Sequence, residues 1–316
     1  MSSGSNIWLH RYAAFLVVCT WCLIFVGGLV TSTDSGLAVP DWPLSYGMVF
    51  PPMVGGILYE HGHRLFAASV GILTIILMIW LLRSEPRRWV KVMGVLASAS
   101  VIGQGVLGGL TVIFLLPPAI SVSHAGMAQL FLCTLVTIAV ATSRRWQEET
   151  AQIEETAAPS LKTLTLALTF MIYCQVILGA LMRHTASGLA IPDFPLSFGR
   201  LVPDHFTPQI AANYAHRIGA LIVTLLVLWT VVRIARLHTA DKVLRRRSFM
   251  LLSALILQIV LAAETVWTGR GVIPTTLHVA GGALMLAMSV CLTLTVHRTI
   301  RGKVEIPVGR LAEAKE

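Results

Sequence analysis

Charge is scarce in this chain. Only 12 % of its 316 residues are Asp, Glu, Lys or Arg, where a soluble domain carries about a quarter. None falls between Val92 and Ser143 or between Gly271 and Val296. Hydrophobic residues make up 55 % of the chain, and the mean hydropathy is +0.76. A soluble globular fold is excluded. Period-2 alternation is also missing, which removes a membrane β-barrel, since lipid admits only helices or closed barrels. Cysteine is rare: Cys19, Cys22, Cys133, Cys174 and Cys291 all sit in apolar stretches, so no outward-facing disulfide is expected. The opening MSSGSNIWLHR has no signal-peptide layout and is too short for a transit peptide. The expected location is therefore a bacterial inner membrane.

What is present is a series of apolar runs of ~20 residues, the length that spans a bilayer as a helix. They cover Tyr12–Val30, Glu60–Leu82, Val92–Ile113, Ala119–Thr142, Thr163–Leu181, Ala211–Val232, Ser248–Val266 and Thr275–Val296. The expected fold is an all-α polytopic membrane protein with eight transmembrane helices. With the N-terminus inside, cytoplasmic segments hold 19 of the 24 Lys and Arg, which places both termini in the cytoplasm. That bias accounts for the net charge of +9. The partner it implies is the lipid bilayer, with no nucleic acid needed.

The chain repeats itself. SGLAVPDWPLSYG (Ser35–Gly47) returns as SGLAIPDFPLSFG (Ser187–Gly199). Gly27 aligns with Gly179, His63-Arg64 with His216-Arg217, Gln104–Val112 with Gln258–Val266, and His124 with His278. Two four-helix halves follow, 12–142 and 163–296, joined by a cytoplasmic linker at 143–162 and followed by a cytoplasmic tail at 297–316. An even number of helices inserts both halves the same way round, giving parallel repeats. The acidic stretch Gln147–Lys162 reads as solvated.

Four of the ten histidines obey the repeat: His63, His124, His216 and His278, each near the outer end of an even-numbered span. A polar ring inside a membrane helix is costly and marks a site, unless it merely bonds a neighbouring helix. Zinc wants about four ligands close together, whereas each half offers two imidazoles on different helices. That is the axial set of a bis-histidine b-type haem. Arg64 and Arg217 follow the histidines and suit haem propionates, or else snorkel to the interface. Trp42 and Phe194, in the repeated loop, are expected to form a lid above each histidine pair. The halves differ where Glu60, one turn before His63, is replaced by Asn213. One pocket is thus expected to do chemistry and the other to carry electrons, although Glu60 could simply favour the helix start.

Glu60-x-x-His63-Arg64, the GGLVTSTDSGLAVPDWPLSYG loop, the four symmetric histidines and the paired halves resemble the haem A synthase family. The likeness covers about Tyr12–Val296. It implies an oxidoreductase acting on a CH or CH3 group, which oxidises the C8 methyl of haem O to a formyl group by two successive hydroxylations. By the resemblance, His63 and His124 are axial to substrate haem O, His216 and His278 ligate haem b, and Glu60 is catalytic, handling protons. Haem O synthase (a farnesyltransferase), cytochrome oxidase assembly and a quinone or other electron partner are the implied partners; whether the chain forms a homo-oligomer stays open. Many members carry cysteine pairs in the outer loops; Leu37, Ser45, Leu189 and Ser197 stand at the comparable places here. The rival readings are a di-haem b membrane electron carrier, an inactive haem-binding assembly protein, and a transporter. All four histidines at one depth argue against electron transfer across the membrane, and little mid-depth polarity argues against transport.

Overall fold

The computed structural model describes residues 6–148, 153–155 and 157–302. Among these, eight helices are long and apolar enough to cross a membrane. They are α1 (Ile7–Ser32), α2 (Gly56–Ser84), α3 (Arg88–Ile113), α4 (Pro118–Thr142), α6 (Leu161–His184), α7 (Pro208–Leu237), α8 (Lys242–Trp267) and α9 (Val272–Thr299); α5 (Arg144–Gln147) is a single short turn. The chain is a multi-pass membrane protein.

Each helix matches one apolar run, but most run past its edge. Lipid thickness does not end a helix; capping does. Asp241 accepts from the N–H groups of Val243 and Leu244 and starts α8 six residues before the apolar run. Asn6 does the same for α1 through Leu9, and Ser160 for α6 through Thr163. Thr207 caps α7, whose first residue is Pro208, where the missing N–H costs nothing.

Each half closes into a ring. α1 packs on α2, α2 on α3, α3 on α4 and α4 back on α1; α6, α7, α8 and α9 repeat the order. α2 and α4 therefore face one another across the diagonal of the first bundle, as α7 and α9 do in the second. The halves meet through α4 against α9, flanked by α1 on α9 and α6 on α4, so α4 and α9 are the central, most buried helices. Leu132, Val136 and Ala283 form the core of that junction. Trp21 Nε1 donates to the Ala280 carbonyl at 2.9 Å, and Gly28 lets α1 close on Thr276 and Val279. Small residues and cross-helix hydrogen bonds matter here because lipid leaves no hydrophobic drive between helices. Outward faces carry Phe15, Ile72, Ile102, Leu225 and Leu257, all exposed to lipid.

Part of the linker is pinned rather than solvated. Strand β1 (Ile153–Glu155) pairs in parallel with β2 (Ile300–Gly302). The Glu155 side chain is 4 % exposed and bonds Arg233, itself 6 % exposed, at 2.9 Å. Its other oxygen accepts from Leu161 N–H at 2.6 Å. The sequence reading of a free acidic linker fails at this residue because its cation comes from α7, 78 residues away.

Removing one partner of a buried ion pair costs about 3–5 kcal/mol, since the other charge is left uncompensated. Glu155→Ala should therefore lower the melting temperature in detergent by on the order of 10 °C. The double variant Glu155→Met/Arg233→Met should recover most of that loss. Differential scanning fluorimetry checks both.

Candidate functional site

The four repeat-matched histidines gather at one end of the molecule, the end that carries the α1–α2 and α6–α7 loops. His63 lies on α2 and His124 on α4; His216 lies on α7 and His278 on α9. Each pair thus comes from diagonal helices that do not pack on each other, with both rings aimed into one bundle. Glycine makes room for them. A Cβ on Gly27 would stand 3.1 Å from His63 Cε1, one on Gly179 3.1 Å from His216 Cε1, and one on Gly108 3.3 Å from His124 Cε1. Gln104 Nε2 donates to the His124 carbonyl and Gln258 Nε2 to the His278 carbonyl, each at 2.8 Å. The same supports appear twice.

The His216 and His278 ring centres are 6.4 Å apart, with their planes at 71°. Two imidazoles bound in line to one metal by bonds of about 2 Å have ring centres roughly 6–6.5 Å apart. The Nδ1 atoms of His63, His124 and His278 are buried with no hydrogen-bond partner, a costly condition inside a protein. Among the described residues, no three His, Cys, Asp or Glu side chains converge as a metal-ligand set. Two-ligand axial binding of a haem fits this donor set; a four-ligand zinc site does not.

The two loops have the same construction. In the first, Asp41 accepts from Tyr46 N–H at 2.6 Å and Gly47 N–H at 2.8 Å. In the second, Asp193 accepts from Phe198 and Gly199 N–H, both at 2.8 Å. Tyr46 and Phe198 both have positive φ, 53° and 57°, a conformation the aspartate bonds hold in place. Gly47 N–H and Tyr46 N–H keep the Asp41 carboxyl below its ordinary pKa, and Gly199 N–H and Phe198 N–H do the same for Asp193.

Arg64 and Arg217 staple these loops to the helices. Arg64 donates to the carbonyls of Asp41 (2.7 Å), Leu44 (3.0 Å) and Val39 (3.3 Å). Arg217 donates to those of Leu196 (2.7 Å), Asp193 (2.8 Å) and Ile191 (3.1 Å). A propionate reaching either guanidinium must compete with those carbonyls. Trp42 packs on α3: a Cβ on Gly109 would lie 2.6 Å from its ring. His124 rests on the adjacent Gly108, so the Trp42 and His124 rings lie on neighbouring residues of α3. Phe194 instead packs edge-on against Trp267, with centroids 6.3 Å apart, beneath the Arg217 guanidinium.

Glu60 is 4 % exposed and lies in the second turn of α2, which begins at Gly56; it does not merely favour the helix start. One carboxylate oxygen bonds Arg64 at 2.6 Å and the other accepts from Val39 N–H at 2.8 Å. Asn213 occupies the equivalent place and donates to the carbonyls of Ser187 and Gly188. Two further asymmetries escape a reading of the repeat. His61 is buried, with Nδ1 2.7 Å from Ser45 Oγ and an unpartnered Nε2; the second half has Tyr214 there, bonded to the Leu201 carbonyl. Gln175 Nε2 reaches the His216 carbonyl at 2.7 Å and Nδ1 at 3.1 Å, whereas the matching position in the first half is Leu23. The exchanges themselves, Tyr for His and Gln for Leu, were the available signal.

Comparison with known proteins places the chain among relatives. A family described as "Cytochrome oxidase assembly protein" (COX15-CtaA) matches residues 56–290. A protein named Heme A synthase from Symbiobacterium thermophilum is 31 % identical over 259 residues, covering 79 % of this chain and 81 % of its own. Another of that name from Halalkalibacterium halodurans is 31 % identical over 279 residues, covering 87 % and 88 %. One from Staphylococcus aureus is 24 % identical over 300 residues, covering 90 % and 95 %.

A carboxylate whose folded pKa is depressed adds stability that is present above its unfolded value and lost as pH falls through the folded one. Both loops should therefore hold their order from pH 8 to pH 5 and lose it only below about pH 4. Asp41→Ala should release the first loop at every pH. Hydrogen exchange at Tyr46 and Gly47, corrected for intrinsic rates, measures this.

Proposed function

We propose a function from the premise that this chain belongs to the COX15-CtaA family of cytochrome oxidase assembly proteins, the family of the haem A synthases: it is a haem A synthase. Its substrate is haem O, whose C8 methyl is oxidised twice and then loses water to give the formyl group of haem A. The observation that carries the reading is the His216–His278 pair, 6.4 Å between ring centres across the diagonal of a lipid-embedded bundle. The loop end is the outer face and both termini are cytoplasmic, in a bacterial inner membrane. Residues 12–142 form the substrate half and 163–296 the haem b half.

In this assignment His216 and His278 hold haem b, which when bound supplies one-electron chemistry that side chains lack. Gln175 supports that role, because a fixed hydrogen bond to a ligand histidine sets its ring orientation and basicity. The same amide nitrogen donates to the His216 carbonyl, so Gln175 holds the backbone of this residue as well as the Nδ1 edge of its ring. His63 and His124 orient haem O in the first half. His63 lacks the Gln175 type of support, which suits a pocket that must release its occupant.

Glu60 handles the protons. Its carboxylate is buried beside His63, one turn nearer the loop, and Arg64 and Val39 N–H fix both its oxygens. Trp42 and the first loop close above it and exclude bulk water, while Phe194 and the second loop do the same over the haem b half. Haem O synthase supplies the substrate and cytochrome oxidase assembly takes the product; each oxidation draws its oxygen from a single water molecule and passes two electrons to a quinone or similar carrier.

Expressed beside a haem O synthase, the chain should yield haem A in extracted, chromatographed haems. Haem O alone would overturn the enzyme reading and leave a di-haem carrier. Glu60→Gln keeps one acceptor, for either Val39 N–H or Arg64 but not both, and loses the charge, so conversion should fall by about 100-fold or more while the Asp41 bonds still order the loop. His216→Ala and His278→Ala should lose the b-type spectrum, whereas His63→Ala and His124→Ala should keep it and lose conversion. Gln175→Leu should shift the haem b midpoint potential without removing the haem.

A further inference from the structure

The repeat breaks at four positions together, and none of the roles above uses them. Arg183 and His184 end α6 where Thr31 and Ser32 end α1; Arg270 lies in the turn before α9 where Leu116 lies in the turn before α4; Asp34 stands where the second half has Ala186. The backbone does not explain the change, since Leu116 and Arg270 share a positive φ of 60° and 68°. The side chains alone differ, and they meet at the loop end of the junction between halves.

Arg183 Nη2 lies 3.6 Å from Asp34 Oδ1 and Arg270 Nη2 3.7 Å from the same atom. Both separations exceed a direct hydrogen bond. The Asp34 side chain is 85 % exposed, while Arg183 and Arg270 are 20 % and 36 % exposed. Arg270 Nε is buried without a partner. Arg64 and Arg217 have spent their donors on carbonyls; these two have not. Two forks of N–H donors held by one loose carboxylate leave a net positive charge, shaped for the planar oxyanion of a carboxylate.

The position favours one source for that anion. α6 packs on α4, so the Arg183–His184 end stands beside the first-half pocket. At the corresponding edge of the second pocket, where α1 packs on α9, Thr31 and Ser32 replace Arg183 and His184 and the acidic Asp34 follows them.

We propose that Arg183 and Arg270 form an anion site at the mouth of the first-half pocket, which takes a propionate carboxylate of the tetrapyrrole lying between His63 and His124. The second half thereby contributes to the substrate pocket of the first. Asp34 holds the two arginines in place and yields them to the incoming carboxylate. The inference rests on the haem reading given above.

The test uses the full-length chain in nanodiscs of phosphatidylcholine, titrated with iron protoporphyrin IX and with its dimethyl ester while the Soret band is followed. Arg183→Gln and Arg270→Gln should each weaken binding of the free acid by about 5–30-fold and leave the ester within about twofold. Asp34→Asn should tighten the acid. A retained b-type spectrum from the second half reports that each variant is folded. Acid affinity unchanged in both arginine variants, or an equal loss for the ester, overturns the proposal. So does unaltered haem binding with lost retention of phosphatidylglycerol in native mass spectrometry, which assigns the arginines to a lipid phosphate. Failure of wild type to bind either tetrapyrrole overturns the haem reading itself.

Discussion

An imidazole buried among apolar helices needs a partner, and in this molecule the partner must be brought to it. Three of the four symmetric histidines keep a buried, unpaired Nδ1, and lipid offers no water to satisfy them. Much of the architecture serves to place those rings. Glycine at 27, 108 and 179 removes the side chains that would push the rings aside, and Gln104 and Gln258 tie the third helix of each ring to the backbone at the histidine of the fourth. The diagonal placement then sets the two rings of each half on opposite helices of one bundle.

Around this shared frame the halves have diverged in chemistry rather than in shape. Loop and arginine staple are built alike, and each half sets its two histidines on the corresponding pair of helices. Glu60, His61 and an unsupported His63 mark one side; Asn213, Tyr214 and a Gln175-braced His216 mark the other. A braced ligand favours permanent retention, and a buried carboxylate favours proton work; the proposed division into a working pocket and a resident one rests on these three exchanges.

The fold was legible in the sequence because the signal that specifies it is local. Eight apolar runs became eight long helices, and the copied loop marked the two bundles. Their ends were not legible from apolar content, since Asp241 and Asn6 extend helices through polar residues. At the site, the histidines and Glu60 stood out as repeat-matched or repeat-breaking positions. What Arg64 and Arg217 bond could not be read, because loop carbonyls carry no side-chain signature. Glu155 was hidden for a related reason: its partner is remote in sequence, and an acidic linker looks solvated until Arg233 is seen beside it.

The wall that α4 and α9 share has a consequence for ancestry. A lone four-helix unit would leave that face, with Leu132 and Val136 or with Ala283, uncovered, and a second copy is the cover that fits it. Two separate copies of one gene product must carry the same residue in both pockets. A fused chain holds glutamate at one and asparagine at the other in fixed one-to-one proportion, so the proposed division of labour cannot be lost by pairing two like halves.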